Sequence, residues 1–133
     1  MTLSEIRESE RVVVRRRSPA NTWVAICPTG QLTPDRGVAA LVGGRAVAVF
    51  LLADGSLYAI DNVDPVSGAS VLSRGIVGDA DGVPTVASPM YKQRFDLSSG
   101  RCLDRDHTIV GTHDVRDHGG TVQVRVRSLR QSP

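Results

Sequence analysis

Short aliphatic runs separated by turn residues make up most of the sequence, and this pattern constrains the fold more than any other feature. Runs at 38–42, 46–52 and 57–60 are rich in aliphatic residues led by Val, whose branched side chain favours strands. Asp54-Gly55 lies between two of these runs and predicts a two-residue hairpin turn, because both residues tolerate positive φ. The sequence therefore predicts an all-β domain.

Helical patterns are scarce in the rest of the chain. Only 3–12 could form an amphipathic helix longer than two turns, whereas 23–26, 109–115 and 122–126 are further predicted strands. Glycines interrupt 61–82 repeatedly, which predicts a long irregular segment. A loop of that length inside a compact domain is usually functional.

Two local signals concern the edges and turns of the predicted sheets. Pro84 cannot donate a hydrogen bond to a neighbouring strand, so any strand at 83–87 is expected to be short or to lie at a sheet edge. Residues 117–120 predict the turn between the last two strands.

The length of 133 residues favours one domain, which we place at 21–127. A charged arm at 1–20 lacks a clear period, as disordered segments do, and 128–133 forms a C-terminal tail. The net charge of +2 is too small to suggest nucleic-acid binding, and we interpret the basic run 15–17 as a solvated arm rather than a phosphate-binding patch.

No apolar stretch approaches the ~18–20 residues of a membrane span, and the N-terminus lacks the apolar core of a secretory signal. We therefore expect a cytoplasmic protein that does not bind a membrane. In that reducing compartment, Cys27 and Cys102 are expected to be thiols rather than a disulfide.

Two loops, 62–68 and 88–100, resemble the Rieske family. In that family one loop carries Cys-x-His and a later loop carries Cys-x-x-His, and together they hold a two-iron cluster. The surrounding residues are similar to those of the family, namely 57–62 before the first loop, Pro65 and Pro89 after the first ligand position of each loop, Gly75, 95–97 and Gly100.

The resemblance places Asp64 and Val66 at the first pair of ligand positions, and Ser88 and Tyr91 at the second pair. All four ligands are therefore replaced. Val66 has no donor atom, and a Ser hydroxyl is a poor substitute for a soft thiolate. The resemblance thus implies a degenerate cluster site, with no metal, cofactor-binding or catalytic residues in this chain.

Within the Rieske-like proteins, 62–65, 73–79 and 88–95 are similar to the small subunit of assimilatory NAD(P)H-dependent nitrite reductases. The implied fold is a Rieske-like antiparallel β-sandwich or partial barrel with a small inserted two-loop subdomain. The implied function is that of a non-catalytic subunit, inactive alone, in a complex that reduces nitrite to ammonium in nitrate assimilation. The large subunit would carry FAD, sirohaem and an iron–sulfur cluster.

The loops at 61–75 and 88–94 are the predicted contact surface for the large subunit, since Met, Tyr and Arg are enriched at interfaces. The alternative is that these are ordinary loop residues covering the local core. The predicted contact residues are Asp64, Pro65, Met90, Tyr91, Lys92 and Arg94.

Two other functions remain open from the sequence: a Rieske-type [2Fe-2S] electron carrier of an oxygenase-like system, and a free-standing interaction module. A cluster of His and Asp residues also resembles a metal or acid–base site, but we interpret its members as solvated residues at sheet edges. The cluster comprises His107, His113, His118, Asp104, Asp106, Asp114 and Asp117.

Overall fold

The structure, a computed structural model, describes residues 12–15 and 22–127. Ten strands in this part of the chain form a seven-stranded and a three-stranded sheet. The strands are β1 (Val12–Arg15), β2 (Trp23–Pro28), β3 (Arg36–Val42), β4 (Arg45–Leu51), β5 (Leu57–Asp61), β6 (Ile76–Ala80), β7 (Val83–Ala87), β8 (Arg94–Asp96), β9 (Thr112–His118) and β10 (Thr121–Arg125).

The larger sheet has the strand order β1-β3-β4-β5-β9-β10-β2, and the smaller sheet has the order β6-β7-β8. β1 pairs parallel with β3, and the other paired strands are antiparallel. The smaller sheet is inserted in the chain between β5 and β9. This arrangement confirms the predicted all-β partial barrel with a small inserted subdomain.

Two hydrophobic cores meet at β4. Val47 and Val49 belong to a core inside the larger sheet, whereas Ala48 and Phe50 belong to a second core beneath the smaller sheet. Successive side chains of a strand point to opposite faces, so β4 is buried on both faces and its sequence is apolar without alternation. Phe95 on β8 is fully buried in the second core, which anchors the inserted subdomain to the barrel.

The hairpin turns follow the glycines, with one departure. Gly119 and Gly120 have φ of 63° and 89°, as a two-residue type I′ turn between β9 and β10 requires. The connection between β4 and β5 is longer than the predicted two-residue turn and spans 52–56. There only Gly55 has positive φ, while the Asp54 carboxylate accepts a 2.9 Å hydrogen bond from the Ser56 N–H.

The prediction that 61–82 is an irregular segment is wrong in part, because this segment contains β6. This strand is short and largely exposed, and Gly78 interrupts it, so it lacks the apolar alternation by which strands are recognised. β9 lies slightly later than predicted, from Thr112 to His118, whereas β10 begins one residue earlier than predicted, at Thr121, so the turn is shortened to 119–120.

Pro84 lies in β7, which is short as predicted but central rather than at an edge. Its carbonyl accepts a 2.9 Å hydrogen bond from the Leu97 N–H, so this residue faces the β8 side of the sheet. The pairing of β7 with β8 starts one residue later, at Thr85. Pro84 therefore lies just outside the paired part of β7 and β8, where its missing N–H interrupts no hydrogen bond between the two strands.

β1 lies within the predicted charged arm 1–20 and pairs with β3. The rest of that arm and the tail 128–133 lie outside the described residues, as do most of the considered helix 3–12 and the side chains of the basic run 15–17. In the described part of the chain, no helix has the length and apolar character needed to cross a membrane.

Gly100 and Gly44 offer a matched test of backbone packing, because their φ angles are 83° and 84°. A Cβ at Gly100 would press against the Val110 carbonyl oxygen, whereas one at Gly44 would meet open space. We expect Gly44→Ala to lower the free energy of unfolding by about 1 kcal/mol and Gly100→Ala by about 3 kcal/mol or more. Urea denaturation measures both losses, and equal losses would contradict a rigid contact at Val110.

Candidate functional site

The two loops that resemble cluster-binding loops connect β5 to β6 and β7 to β8, at one end of the smaller sheet. Asn62 organises the first loop from within, since it is almost completely buried. Its side-chain amide donates to Ser70 Oγ at 2.8 Å, and its side-chain oxygen accepts from the Ser73 N–H at 2.7 Å. One buried side chain therefore ties the start of this loop to two residues of its second half.

Asp64 and Ser88 join the two loops. Both side chains are buried, and Ser88 Oγ donates to Asp64 Oδ2 at 2.6 Å. The other carboxylate oxygen of Asp64 accepts from the Val66 N–H at 2.8 Å, and Ser88 Oγ accepts from the Met90 N–H at 3.2 Å. The two positions that resemble the cysteine ligands are thus brought together, bonded to each other and to their own loops.

The pKa of Asp64 is lowered from its ordinary value. Burial by itself raises this pKa, but hydrogen bonds from the Ser88 hydroxyl and the backbone N–H groups of Val66 and Ser67 stabilise the ionised form more strongly. Asp64 is therefore an ionised carboxylate inside the protein, and its charge strengthens the bond between the loops.

The residues at the four ligand positions do not fit a Rieske cluster. Such a cluster needs two thiolates and two imidazoles. Asp64 and Ser88 offer hard oxygens that already bond to each other, Val66 is half-buried and has no donor atom, and the Tyr91 side chain is 60% exposed. Soft iron–sulfur chemistry has no suitable ligand among these four side chains.

The two cysteines lie in different cores. Cys27 is buried inside the larger sheet, and Cys102 is buried beneath the smaller sheet. They are therefore thiols that do not form a disulfide, as the sequence predicted. Within residues 12–15 and 22–127, no three His, Cys, Asp or Glu side chains are grouped in a way that could hold a metal ion.

His113 is buried, so its interpretation as a solvated edge residue is wrong. Its Nδ1 accepts a 3.1 Å hydrogen bond from the Arg127 N–H, which leaves the ring proton on Nε2. Nε2 then donates to Asp61 Oδ1 at 2.8 Å. His107 and His118 are exposed, in agreement with the prediction.

Asp61 is the centre of a hydrogen-bonded network at the end of β5, in which it forms an ion pair with Arg45. Arg45 from β4 binds its carboxylate through two hydrogen bonds of 2.9 and 2.8 Å, and His113 binds it from β9. Burial raises the pKa of Asp61, but these partners outweigh it and lower the pKa overall. The network fixes three strands at the point where the first loop begins.

Sequence reasoning missed this network because its members lie far apart in the chain. One signal was available, since Gly111 leaves room for the carboxylate. A Cβ at Gly111 would lie only 2.6 Å from Asp61 Oδ2. A glycine in an otherwise apolar region can mark the close approach of another group.

Two of the four acidic residues of the predicted His and Asp cluster, Asp104 and Asp114, pair with arginines. Asp104 binds the Arg94 guanidinium at 2.7 and 3.0 Å, which lowers the pKa of Asp104 to about 2. Asp114 binds Arg125 at 2.9 Å and Arg127 at 2.8 Å. The structure therefore disperses these groups instead of assembling them into one site.

The predicted contact residues separate into a buried one and an exposed set. Asp64 is completely buried, so its prediction as a partner-contact residue is corrected, because it presents no surface to another protein. The exposed ones are Pro65, Met90, Tyr91, Lys92 and Arg94.

Comparison of the sequence with protein families identifies the family of this chain. The Rieske-like [2Fe-2S] domain family matches residues 22–125, which is most of the chain. The chain therefore belongs to the Rieske-like [2Fe-2S] domain family.

Its relatives narrow the assignment. The nitrite reductase (NADH) small subunit of Salmonella typhimurium (strain LT2) is 43% identical over 104 residues, which cover 77% of this chain and 96% of the relative. A crystal structure described as an NADH-dependent nitrite reductase small subunit from Mycobacterium tuberculosis superposes with a TM-score of 0.79 at 43% identity, covering 84% of this chain and 100% of that one. Within the family, the chain belongs to the nitrite reductase small subunits, which confirms the resemblance.

A third relative is a longer protein. The nitrite reductase [NAD(P)H] large subunit of Klebsiella oxytoca is 42% identical over 111 residues, or 84% of this chain. These residues are only 12% of the Klebsiella protein. A segment similar to this chain therefore occurs inside a protein named as a large subunit.

Ser88→Ala removes the hydroxyl that joins the loops and leaves Asp64 with donors from Val66 and Ser67 of its own loop. We expect the free energy of unfolding to fall by about 2–3 kcal/mol, because a buried carboxylate loses a charge-assisted hydrogen bond. Ser98→Ala is the matched control, since Ser98 Oγ donates to Asp96 at 2.7 Å in an exposed turn and water can replace it. Urea denaturation should show about 0.5 kcal/mol or less there. Similar losses in the two variants would contradict the special role of the buried bond.

The lowered pKa of Asp64 predicts an acid-sensitive contribution to stability. The folded chain keeps this carboxylate ionised below the ordinary value of 3.8, so the contribution is fully present above that value and is lost as the pH falls through the folded-state pKa. The difference in unfolding free energy between wild type and Asp64→Asn should be constant above about pH 5 and should shrink below about pH 4. Urea denaturation across this range tests it, and a constant difference down to about pH 3 would refute it.

Proposed function

We propose that this chain is the non-catalytic accessory subunit of a cytoplasmic NAD(P)H-dependent nitrite reductase, which reduces nitrite to ammonium in nitrate assimilation. The observation that carries the proposal is its 43% identity to a nitrite reductase small subunit along 96% of that relative. Because the residues at the four ligand positions do not suit a cluster, we infer that the accessory role is not electron transfer through one.

The chemistry of the four ligand positions supports a subunit without a redox centre. The carboxylate of Asp64 and the hydroxyl of Ser88 satisfy each other, and Val66 offers no ligand atom. Hydride and electron transfer would therefore take place on the large subunit, with FAD, sirohaem and an iron–sulfur cluster as the expected cofactors there. The same chemistry argues against the rival function of a [2Fe-2S] electron carrier.

The Klebsiella relative supports a large-subunit partner. In that protein a segment similar to this chain is part of the same polypeptide as a large subunit. Covalent linkage holds two modules at high effective concentration, so they can bind each other even with modest intrinsic affinity. A small subunit that is a separate polypeptide would need a contact surface that is sufficient by itself.

The loops at 61–75 and 88–94 are the proposed contact surface. Among their exposed residues, Met90, Tyr91 and Arg94 belong to residue types that interfaces favour. If Tyr91→Ala and Arg94→Ala left assembly and activity of the complex unchanged, this location would be wrong.

Co-expression with the large subunit of the same host tests the proposal. We expect the two chains to co-purify and the complex to oxidise NAD(P)H in the presence of nitrite. The chain purified alone should contain no stoichiometric iron and show no visible absorption from a two-iron cluster. A bound cluster would support the electron carrier instead, and failure to co-purify would support a free-standing interaction module.

A further inference from the structure

Most of the large apolar side chains that are exposed in the described structure lie at one end of the smaller sheet. Ile76 is the most exposed of them, at 77%. Exposed apolar residues are ordinary when scattered, whereas a group of them marks an interaction surface. We call this group the tip surface, and it comprises Val63, Ile76, Met90, Tyr91 and Leu103.

The strand register of the smaller sheet places part of the tip surface in a row that crosses all three strands. Ile76 on β6 lies opposite Ala87 on β7, and Ala87 lies opposite Arg94 on β8. Directly opposite residues share a face, so these side chains form a row on the outer side of the sheet. The Leu103 N–H donates to the Arg94 carbonyl at 2.8 Å, which extends the row by one more residue.

The two loops complete the tip surface. Met90 and Tyr91 lie between β7 and β8, immediately beyond the ends of this row. Val63 precedes Asp64, whose bond to Ser88 holds the first loop against the second. All five apolar residues are therefore within a few residues of the same buried hydrogen bond or the same cross-strand row.

Positive charge predominates around the tip surface. The bonds between Arg94 and Asp104 neutralise one cation at its centre. The neighbouring exposed charges are the cations of Arg74, Lys92 and Arg105 and the carboxylate of Asp106. A complementary partner would present an apolar patch with an acidic rim.

We infer that the whole tip surface, which extends the two contact loops by Ile76 and Leu103, is the docking site for the nitrite reductase large subunit, and that this partner presents an apolar patch with an acidic rim. This inference rests on the proposed function and adds residues to which the sequence did not point. The Ser88–Asp64 bond holds both loops in place before binding, so association costs little conformational entropy.

The two most exposed isoleucines of the described residues provide a matched experiment. Ile76 and Ile109 are 77% and 62% exposed, but only Ile76 lies in the tip surface, since Ile109 lies opposite Arg101, two residues farther from the loops than the row that contains Leu103. The affinity of the full chain for its cognate large subunit is measured for wild type, Ile76→Ser and Ile109→Ser. We expect Ile76→Ser to weaken binding tenfold or more and Ile109→Ser to change it less than threefold.

The rim charges supply a second readout. Lys92→Glu should slow association with the large subunit. Added salt should weaken the binding of wild type more than the binding of the variant, because salt screens an attraction that the variant no longer has. Thermal unfolding of each free chain checks that these exposed substitutions leave the fold intact.

The outcomes separate the inference from the function on which it rests. If wild type does not bind the large subunit, the proposed function fails. If wild type binds and the two isoleucine variants bind alike, whether both strongly or both weakly, the docking site is wrong. Loss of self-association in Ile76→Ser with unchanged large-subunit binding would assign the tip surface to a second copy of this chain and overturn the inference.

Discussion

The buried hydrogen bond from Ser88 to Asp64 is the interaction on which the candidate site depends. A carboxylate taken out of water is costly unless donors surround it, and Asp64 receives the Ser88 hydroxyl together with the Val66 and Ser67 N–H groups. Because the acceptor is charged, the bond is stronger than one between neutral groups. A two-residue contact thus joins the two loops that resemble the cluster-binding loops of the Rieske family.

The larger sheet supports this bond through a second charged network. Asp61 ends β5 and is held by Arg45 and His113, so the first loop starts from a fixed point only three residues before Asp64. Phe95 anchors the second loop by filling the core beneath the smaller sheet. The positions of both loops therefore derive from the barrel, and a tip surface with defined geometry follows from the core packing.

Pattern and turn chemistry were sufficient to predict the general architecture. The apolar run of β4, the alternation of β10 and the glycine turns depend on local stereochemistry, and the structure contains them close to where they were expected. β6 was missed because its exposure and Gly78 remove the local signal, and its pairing with β7 depends on the rest of the sheet. The central position of β7 could not be predicted for the same reason, since a strand's neighbours are not encoded in its own residues.

By itself, the sequence determined the all-β class of this protein and the side-chain chemistry of its two loops. The Val66 side chain cannot bind iron in any conformation, because it carries no donor atom. Only the tertiary structure decided that Asp64 and Ser88 bond to each other, that His113 is buried against Asp61, and that Ile76 shares a surface with the loops. These relationships join residues far apart in the chain, and the folded cores set the distances between them.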